Sequence, residues 1–277
     1  MGARLCRNAG VIHPTAIVHS KARLHPSVSV GPYAIIDEHV EVGADCFIGP
    51  HAYLTGHTTI GVGNRFHAGC VIGDAPQDLK YRDEPTRLRI GEDNVFREHV
   101  TVHRANKVAE DTVVGSHNFL MANCHIGHNS FVGNYVIMAN GALLGGHVVV
   151  QDRALISGNC LVHQFVRVGT LALMQGGSAI SKDLPPYTVA RGDNGMCGLN
   201  TIGLRRAGIG PAERMELKRL YRLLFRGGQN VSEALAQARK EFTSPAASTM
   251  LEFLSSSRRG IVRDTGTDVP DEPEGAE

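Results

Sequence analysis

The stretch IGHNSFVGNYVIMANGALLGGHVVV, residues 126–150, carries the pattern that decides the fold. Ile126, Val132, Met138, Leu144 and Val150 fall six apart, and glycine directly follows three of them at Gly127, Gly133 and Gly145. The step extends outward in both directions. Of the 29 sixth positions from Ile12 to Ile180, only Asp78 and Glu84 are not apolar. A period of six held over this length fits neither a 3.6-residue helix nor a plain alternating strand. Short parallel repeats of this kind mark a stacked β-solenoid. The fold class is therefore mainly β, a parallel β-helix in which each six-residue unit is a short strand plus a turn.

A second column of small residues lies two positions before the first, among them Ala34, Cys46, Cys70, Cys124, Ala142 and Cys160. Residues two apart on a strand share a face, so both columns point inward, one large and one small, as a narrow bore requires. The glycines after the apolar position, such as Gly43, Gly61, Gly115, Gly127 and Gly145, read as corners that need positive φ or close backbone approach.

Composition is consistent with one elongated unit and bounds its partners. The 277 residues hold 28 Lys and Arg against 27 Asp and Glu, a net charge of +1, which implies no bulk attraction to nucleic acid or to a membrane surface. Four of the six cysteines sit in the small inward column and read as buried apolar residues, while Cys6 and Cys197 show no metal-ligand spacing. The opening MGARLCRNAG has no apolar signal core, and no later stretch reaches the ~18 apolar residues of a membrane span. The expectation is a cytoplasmic protein with no membrane insertion and no bound metal.

The register is interrupted twice. GDAPQDLKYRDEPTRLR, residues 73–89, replaces core with charge, and HRANKVAEDTV, residues 103–113, keeps its apolar phase at Val108 but is otherwise polar. Both read as excursions, the usual carriers of function on a rigid scaffold. The β-helix is expected over 11–187. A small α-helical domain is expected over 188–263, with a helix opened by Pro211, patterned by Leu217, Leu220 and Leu224 and stopped by Gly227. A second helix is expected after a Ser232 cap and a third from Ala246 to Leu254. Residues 264–277, acidic and proline-bearing, read as a disordered tail.

Three sixes make a coil of eighteen, so residues eighteen apart stack at the ~4.8 Å strand spacing. This aligns His128, Gly146 and Gln164 in one column and Gly127, Gly145 and His163 in the next. His147 stands beside Gly146 over Asn129, and His125 precedes the same corner. Four imidazoles on one edge are bases that titrate near physiological pH, suited to taking a hydroxyl proton, and the glycines leave backbone N–H groups for an oxyanion. No serine or cysteine stands in a nucleophile-elbow context, which favours direct acyl transfer over a covalent acyl-enzyme.

These columns, with QDLKYRDEPTR (77–87), NCHIGHNSFVGN (123–134), GGHVVV (145–150), LVHQF (161–165), DLPPY (183–187), GLNTIGLRRAG (198–208) and RRGIVR (258–263), resemble the acyl-[acyl-carrier-protein]:UDP-N-acetylglucosamine O-acyltransferases of lipid A synthesis. The resemblance spans nearly the whole chain. It implies a left-handed β-helix and a homotrimer with active sites between neighbours. It also implies transfer of a 3-hydroxyacyl group from acyl carrier protein to the 3-position of UDP-N-acetylglucosamine, without a cofactor. His128 takes the role of general base, and Gly146 offers its N–H to the oxyanion. Asp78, Lys80, His125, His147, His163 and Gln164 surround the sugar, pyrophosphate and acyl-pantetheine arm, with Asn200 and Arg206 near the nucleotide. Gly176 falls at the far end of the acyl groove, where glycine implies a longer chain. The sequence departs from the family pattern at Asn129, where an Asp is common, and at Ile202 and Ala207. Arg219, Arg222 and Arg226 share a helical face suited to an acidic carrier protein.

Three other readings compete. One is acylation of the 3-amino analogue of the sugar, and another is a non-catalytic scaffold. The third is a zinc-dependent carbonic anhydrase on the same fold, to which His99 and His117, eighteen apart, lend some footing.

Overall fold

The computed structural model describes residues 10–266, so Cys6 and the tail beyond residue 266 lie outside the described part. Short strands, most of two residues, stack into three sheets that form the faces of a triangular prism, a left-handed parallel β-helix. The first face runs from Ile17–Val18 to Ala179–Ile180 and the second from Arg23–Leu24 to Arg167–Val168. The third runs from Ser29–Val30 to Leu173–Met174 and continues into the C-terminal strands. The common step is eighteen residues. Ile126 pairs with Leu144 and Leu144 with Val162 on the first face, while Val132 pairs with Val150 and Val150 with Val168 on the second.

A two-residue strand has no stability of its own. It buries one large side chain and closes its hydrogen bonds only with the coils above and below. Ile48, Leu54, Ile72, Ile126 and Ile156 are accordingly fully buried, each contributing about 1.5–3 kcal/mol. The inward cysteines donate to carbonyls of the next coil, as Cys124 Sγ does to Ala139 at 3.1 Å. Burial pushes the Cys124 thiol up to about 11 and Cys70 up to about 12, so both are unreactive. Where the small column turns polar, Asn64, Asn94 and Asn118 form a buried ladder. Asn94 Nδ2 donates to Asn64 Oδ1 at 2.9 Å, and the Asn118 N–H donates to Asn94 Oδ1 at 2.9 Å.

Apart from Gly73, whose φ is 86°, the glycines that follow the apolar position serve only one of their two expected purposes. A Cβ on Gly61 would stand 2.5 Å from the Gly91 carbonyl oxygen, and one on Gly127 would stand 2.7 Å from Gly145 C. Close approach is therefore the reason for glycine there. Positive φ falls two residues later, at tolerant types such as His51, Asp93, Asn129 and His147 but also at Tyr33, Tyr135 and Leu171, so the corner imposes it whatever the residue.

The coil count also departs from eighteen. Ile72 pairs with Val102, thirty residues on, and Val102 with Ile126, twenty-four on. Two successive coils thus extrude twelve and six extra residues, as loops over 75–86 and 104–110, both at the corner between the first and second faces. Ile90 resumes on the second face rather than above Ile72. Val108 keeps the apolar phase yet is 49% exposed, because an insertion of six restores the phase by itself.

The third sheet continues past residue 187. Thr188–Ala190 pairs parallel with Leu173–Met174, Gly195–Leu199 pairs antiparallel with it, and Arg263–Asp264 closes the edge. Four helices pack outside: α1 Thr201–Arg206, α2 Pro211–Arg226, α3 Val231–Glu241 and α4 Pro245–Ser255. In α2, Leu217, Leu220 and Leu224 are buried as patterned and Gly227 is the C-cap. The α3 cap is Asn230, whose side chain accepts from the Ser232 N–H, two residues earlier than expected. Asp264, expected in the tail, is held in its strand by Tyr221 Oη and Arg226 Nε, each donating at 2.7 Å. Arg226 is thereby committed to an internal pair, and Arg219 lies over the Phe242 ring, so the basic face of α2 is less open than its sequence implies.

Candidate active site

The corner between the first and second faces gathers the expected residues. The eighteen-residue register carries His128, Gly146 and Gln164 onto three successive coils. A Cβ on Gly146 would stand 2.7 Å from Cε1 and Nε2 of His128, so glycine is what lets the imidazole settle on the next coil's backbone. No described residue accepts a hydrogen bond from the Gly146 N–H.

Neighbouring groups determine the tautomer of His128. Its Nδ1 lies 2.8 Å from Asn129 Oδ1. That oxygen also accepts from the Asn106 backbone N–H at 2.9 Å, while Asn129 Nδ2 donates to Glu110 Oε2 at 2.7 Å. A backbone N–H can only donate and a carboxylate can only accept, so the Asn129 amide has one orientation. Its oxygen faces Nδ1, which therefore carries the hydrogen and leaves the lone pair on Nε2.

Three neighbouring imidazoles, His147, His125 and His103, have their pKa lowered. His147 stacks on Phe165 at 4.5 Å, meets the His128 ring edge-on at 5.2 Å, and donates its backbone N–H to the His128 carbonyl at 2.8 Å. Burial, and then the nearby charge of His128, lowers its pKa. His125 Nδ1 lies 2.7 Å from Thr101 Oγ1, and its ring packs edge-on against His103 at 4.8 Å. Burial pulls His125 down to about 4. His103, 6% exposed, also has its pKa lowered by burial, and among the described residues its Nδ1 has no partner.

A cleft of about 780 Å³ opens over this corner, lined by His103, His125, His128, Gly146, His163 and Gln164 with Leu143 and Leu161 as an apolar wall. His147 stands behind His128 rather than in the lining. Arg259 reaches the rim, with Nη2 3.3 Å from His163 Nδ1. Asp78 is brought in by the first loop and gripped by the second: its carboxylate accepts from the Lys80 backbone N–H at 2.9 Å and from Asn106 Nδ2 at 2.7 Å. These two bonds hold it below the usual carboxylate range. The side chain of Lys80 is exposed on the same loop.

Three expected residues lie elsewhere on the chain. Arg206 and Asn200 line a second cleft of about 580 Å³ over the third face, with Ile202 and Ala207. Asn200 Oδ1 caps α1 and its Nδ2 donates to the Leu171 carbonyl. Gly176 sits exposed at the corner between the third and first faces, where a Cβ would meet only the Gly158 oxygen at 3.6 Å. His99 and His117 do not stack. The twenty-four-residue coil puts them on different corners, and among the described residues no group of three or more His, Cys, Asp or Glu is placed to hold a metal.

Sequence reasoning missed His103, Asn106 and Glu110. Pairing of Val102 with Ile126 sets His103 in line with Gly127, a position that a count of eighteen does not reveal. Asn106 and Glu110 lie on an extruded loop that no repeat can place.

The family model for UDP-N-acetylglucosamine O-acyltransferase, domain 2, matches residues 183–262. An acyl-[acyl-carrier-protein]–UDP-N-acetylglucosamine O-acyltransferase from Syntrophobacter fumaroxidans is 47% identical over 91% of this chain and 99% of its own length. Its counterpart from Myxococcus xanthus is 42% identical over the same shares. Among solved structures, the Francisella novicida UDP-N-acetylglucosamine acyltransferase superposes with a TM-score of 0.88 at 34% identity, covering 93% of this chain and 97% of that one. The Campylobacter jejuni enzyme gives 0.86 at 32% identity, covering 91% and 99%. With such likeness over nearly its full length, the chain belongs to the acyl-[acyl-carrier-protein]–UDP-N-acetylglucosamine O-acyltransferase family.

Proposed function

We propose that this enzyme transfers a 3-hydroxyacyl group from acyl carrier protein to the 3-hydroxyl of UDP-N-acetylglucosamine, the first step of lipid A biosynthesis, with His128 as general base. The observation that carries the base assignment is the hydrogen bond from His128 Nδ1 to Asn129 Oδ1, which leaves Nε2 unprotonated in a cleft beside the Gly146 N–H, which has no acceptor among the described residues. Nε2 takes the proton of the sugar hydroxyl as its oxygen attacks the thioester carbonyl. The carbonyl becomes a tetrahedral oxyanion facing the Gly146 N–H. Collapse breaks the carbon–sulfur bond, and the departing pantetheine thiolate receives the proton from the imidazolium.

Asp78, Lys80, His125, His147, His163 and Gln164 bind or order the sugar, diphosphate and acyl arm around that point. His125 and His103, kept neutral by burial, serve as hydrogen-bonding groups rather than charges. Asn200 and Arg206 lie over a different face from His128, which supports a homotrimer in which one copy supplies the nucleotide contacts and its neighbour the base. Arg219 and Arg222 on α2 are the residues left to receive an acidic carrier, and Gly176 leaves the acyl groove open at its far end. Among the described residues no helix is long and apolar enough to cross a membrane; a cytoplasmic location is part of the proposal.

The test is an assay of the purified protein with 3-hydroxyacyl carriers and either UDP-N-acetylglucosamine or its 3-amino analogue, beside His128→Ala. Acylated UDP-N-acetylglucosamine is expected, with its formation lost in the variant. Product only from the amino analogue would shift the acceptor from oxygen to nitrogen, and undiminished turnover by His128→Ala would remove the base. Co-assembly of His128→Ala with Arg206→Ala chains tests the shared site: two inactive variants regain activity together only if separate copies supply the two residues.

A further inference from the structure

We infer that Glu110, on the loop over 104–110, is a positioning residue that acts on His128 through Asn129, supplying one hydrogen bond away the carboxylate that a direct Asp partner would provide. The inference rests on the reading of His128 as the base. An asparagine beside a catalytic imidazole is ambiguous by itself, because its amide fits in two orientations. In the wrong one, Nδ2 would face His128 Nδ1, force the hydrogen onto Nε2 and leave no lone pair for the substrate hydroxyl. Two contacts, both from the 104–110 loop, forbid this. The Asn106 N–H requires the amide oxygen at 2.9 Å, and Glu110 Oε2 requires the amide nitrogen at 2.7 Å.

Glu110 is itself held. Its Oε2 lies 3.8 Å from His147 Nδ1, and Lys107 Nζ donates to its Oε1 at 3.4 Å. The six-residue insertion that makes this loop therefore positions the base. Glu110 is partly exposed, with 44% of its side chain open, so water screens its charge and its main effect is orientation. The other charged or titratable groups whose fields reach His128 are Asp78 from the first loop, His147 from the next coil, and His103 and His125 on the first face.

The experiment compares kcat, KM and the pH dependence of kcat/KM for the full-length wild type, Glu110→Gln, the double variant Glu110→Gln with Asn129→Asp, and His128→Ala, each checked by thermal melting. Glu110→Gln is expected to lower kcat about tenfold with KM unchanged. Its acid limb should move to lower pH, because an imidazolium with one carboxylate fewer nearby loses its proton more readily. The double variant restores a carboxylate directly on Nδ1–H, with the new side-chain amide at position 110 donating to it. It should return kcat to within about threefold of wild type and carry the acid limb above the wild-type position. If Glu110→Gln leaves kcat and the acid limb unchanged while His128→Ala is dead, the inference fails and the base reading stands. A drop in kcat with a fixed acid limb and no rescue by the double variant would reduce Glu110 to a structural support, which also overturns the inference. An active His128→Ala would remove the base itself.

Discussion

The edge between the first and second faces brings histidines together at both of its ends, with different results. In the early coils His39 and His57 stack face to face at 4.3 Å. In the later coils His128 and His147 meet edge-on at 5.2 Å. The backbone repeat is the same, so imidazole proximity is something the prism provides wherever histidine recurs. The later end differs in what surrounds the rings. The two extruded loops, over 75–86 and 104–110, bring Asp78, Asn106 and Glu110 against the corner and fix one amide and through it one tautomer, and the first of them adds Gln77 to the lining of the cleft. Histidine stacking belongs to the scaffold, and chemistry begins where the scaffold is interrupted.

The largest expected effect separates the two ends directly. His128→Ala should lower kcat/KM for acyl transfer by about 10²–10⁴-fold, the usual contribution of a positioned general base. His39→Ala and His57→Ala should stay within about twofold. Equal losses at both ends would show that the rings act through stability alone, and the comparison would fail. Gly146→Ala comes next. Its Cβ has nowhere to go except into the His128 ring, 2.7 Å away, so the ring must swing off the line that joins it to the Gly146 N–H. A loss of about 10²–10³-fold in kcat, with an unchanged melting temperature, is expected by steady-state assay.

The corner was largely legible in the sequence because the count of eighteen holds from Ile126 to Ile180, and every residue placed by that count stands where it was expected. The count fails at two coils, and there sequence reading loses its footing. An insertion of six leaves the apolar phase intact, so Val108 looks like core and is not. An insertion of twelve moves Ile90 to the next face. Asn106 and Glu110 carried no legible signal, because a loop without a repeat has no coordinate until its neighbours are known. Asn200 and Arg206 were identified by resemblance, but no spacing could reveal that they lie over another face from the base. The corner glycines show the same limit at smaller scale: their pattern marks the turn, while the positive φ sits two residues further on.

Acid stability sharpens the contrast by a different measurement. His125 is pulled from 6.5 to about 4 by burial, so the unfolded chain binds its proton at a higher pH than the folded one. Its contribution to stability is complete above pH 6.5, is lost progressively as pH falls toward 4, and amounts to about 3 kcal/mol at most. Thermal melting should therefore fall across this window for the wild type and flatten in His125→Asn, whereas His39→Ala should leave the slope as it is. A slope that persists in His125→Asn would assign the acid sensitivity to other groups.

The smallest effect is expected at Gly176, where the glycine is open rather than crowded. Its φ is not positive, and an added Cβ meets only the Gly158 oxygen at 3.6 Å. Gly176→Met should therefore fold as the wild type does, unlike a substitution at the adjacent Gly177, whose φ of 73° strains any side chain. If this corner ends the acyl groove, the methionine shortens it by several methylene positions, each worth about 1–3 kcal/mol of discrimination. Turnover of long 3-hydroxyacyl donors should drop while short donors are used as before or better, read from competition between donors of different length. Unchanged preference would separate the acyl groove from this corner and leave the base at His128 untouched, since the two positions lie on different edges of the prism.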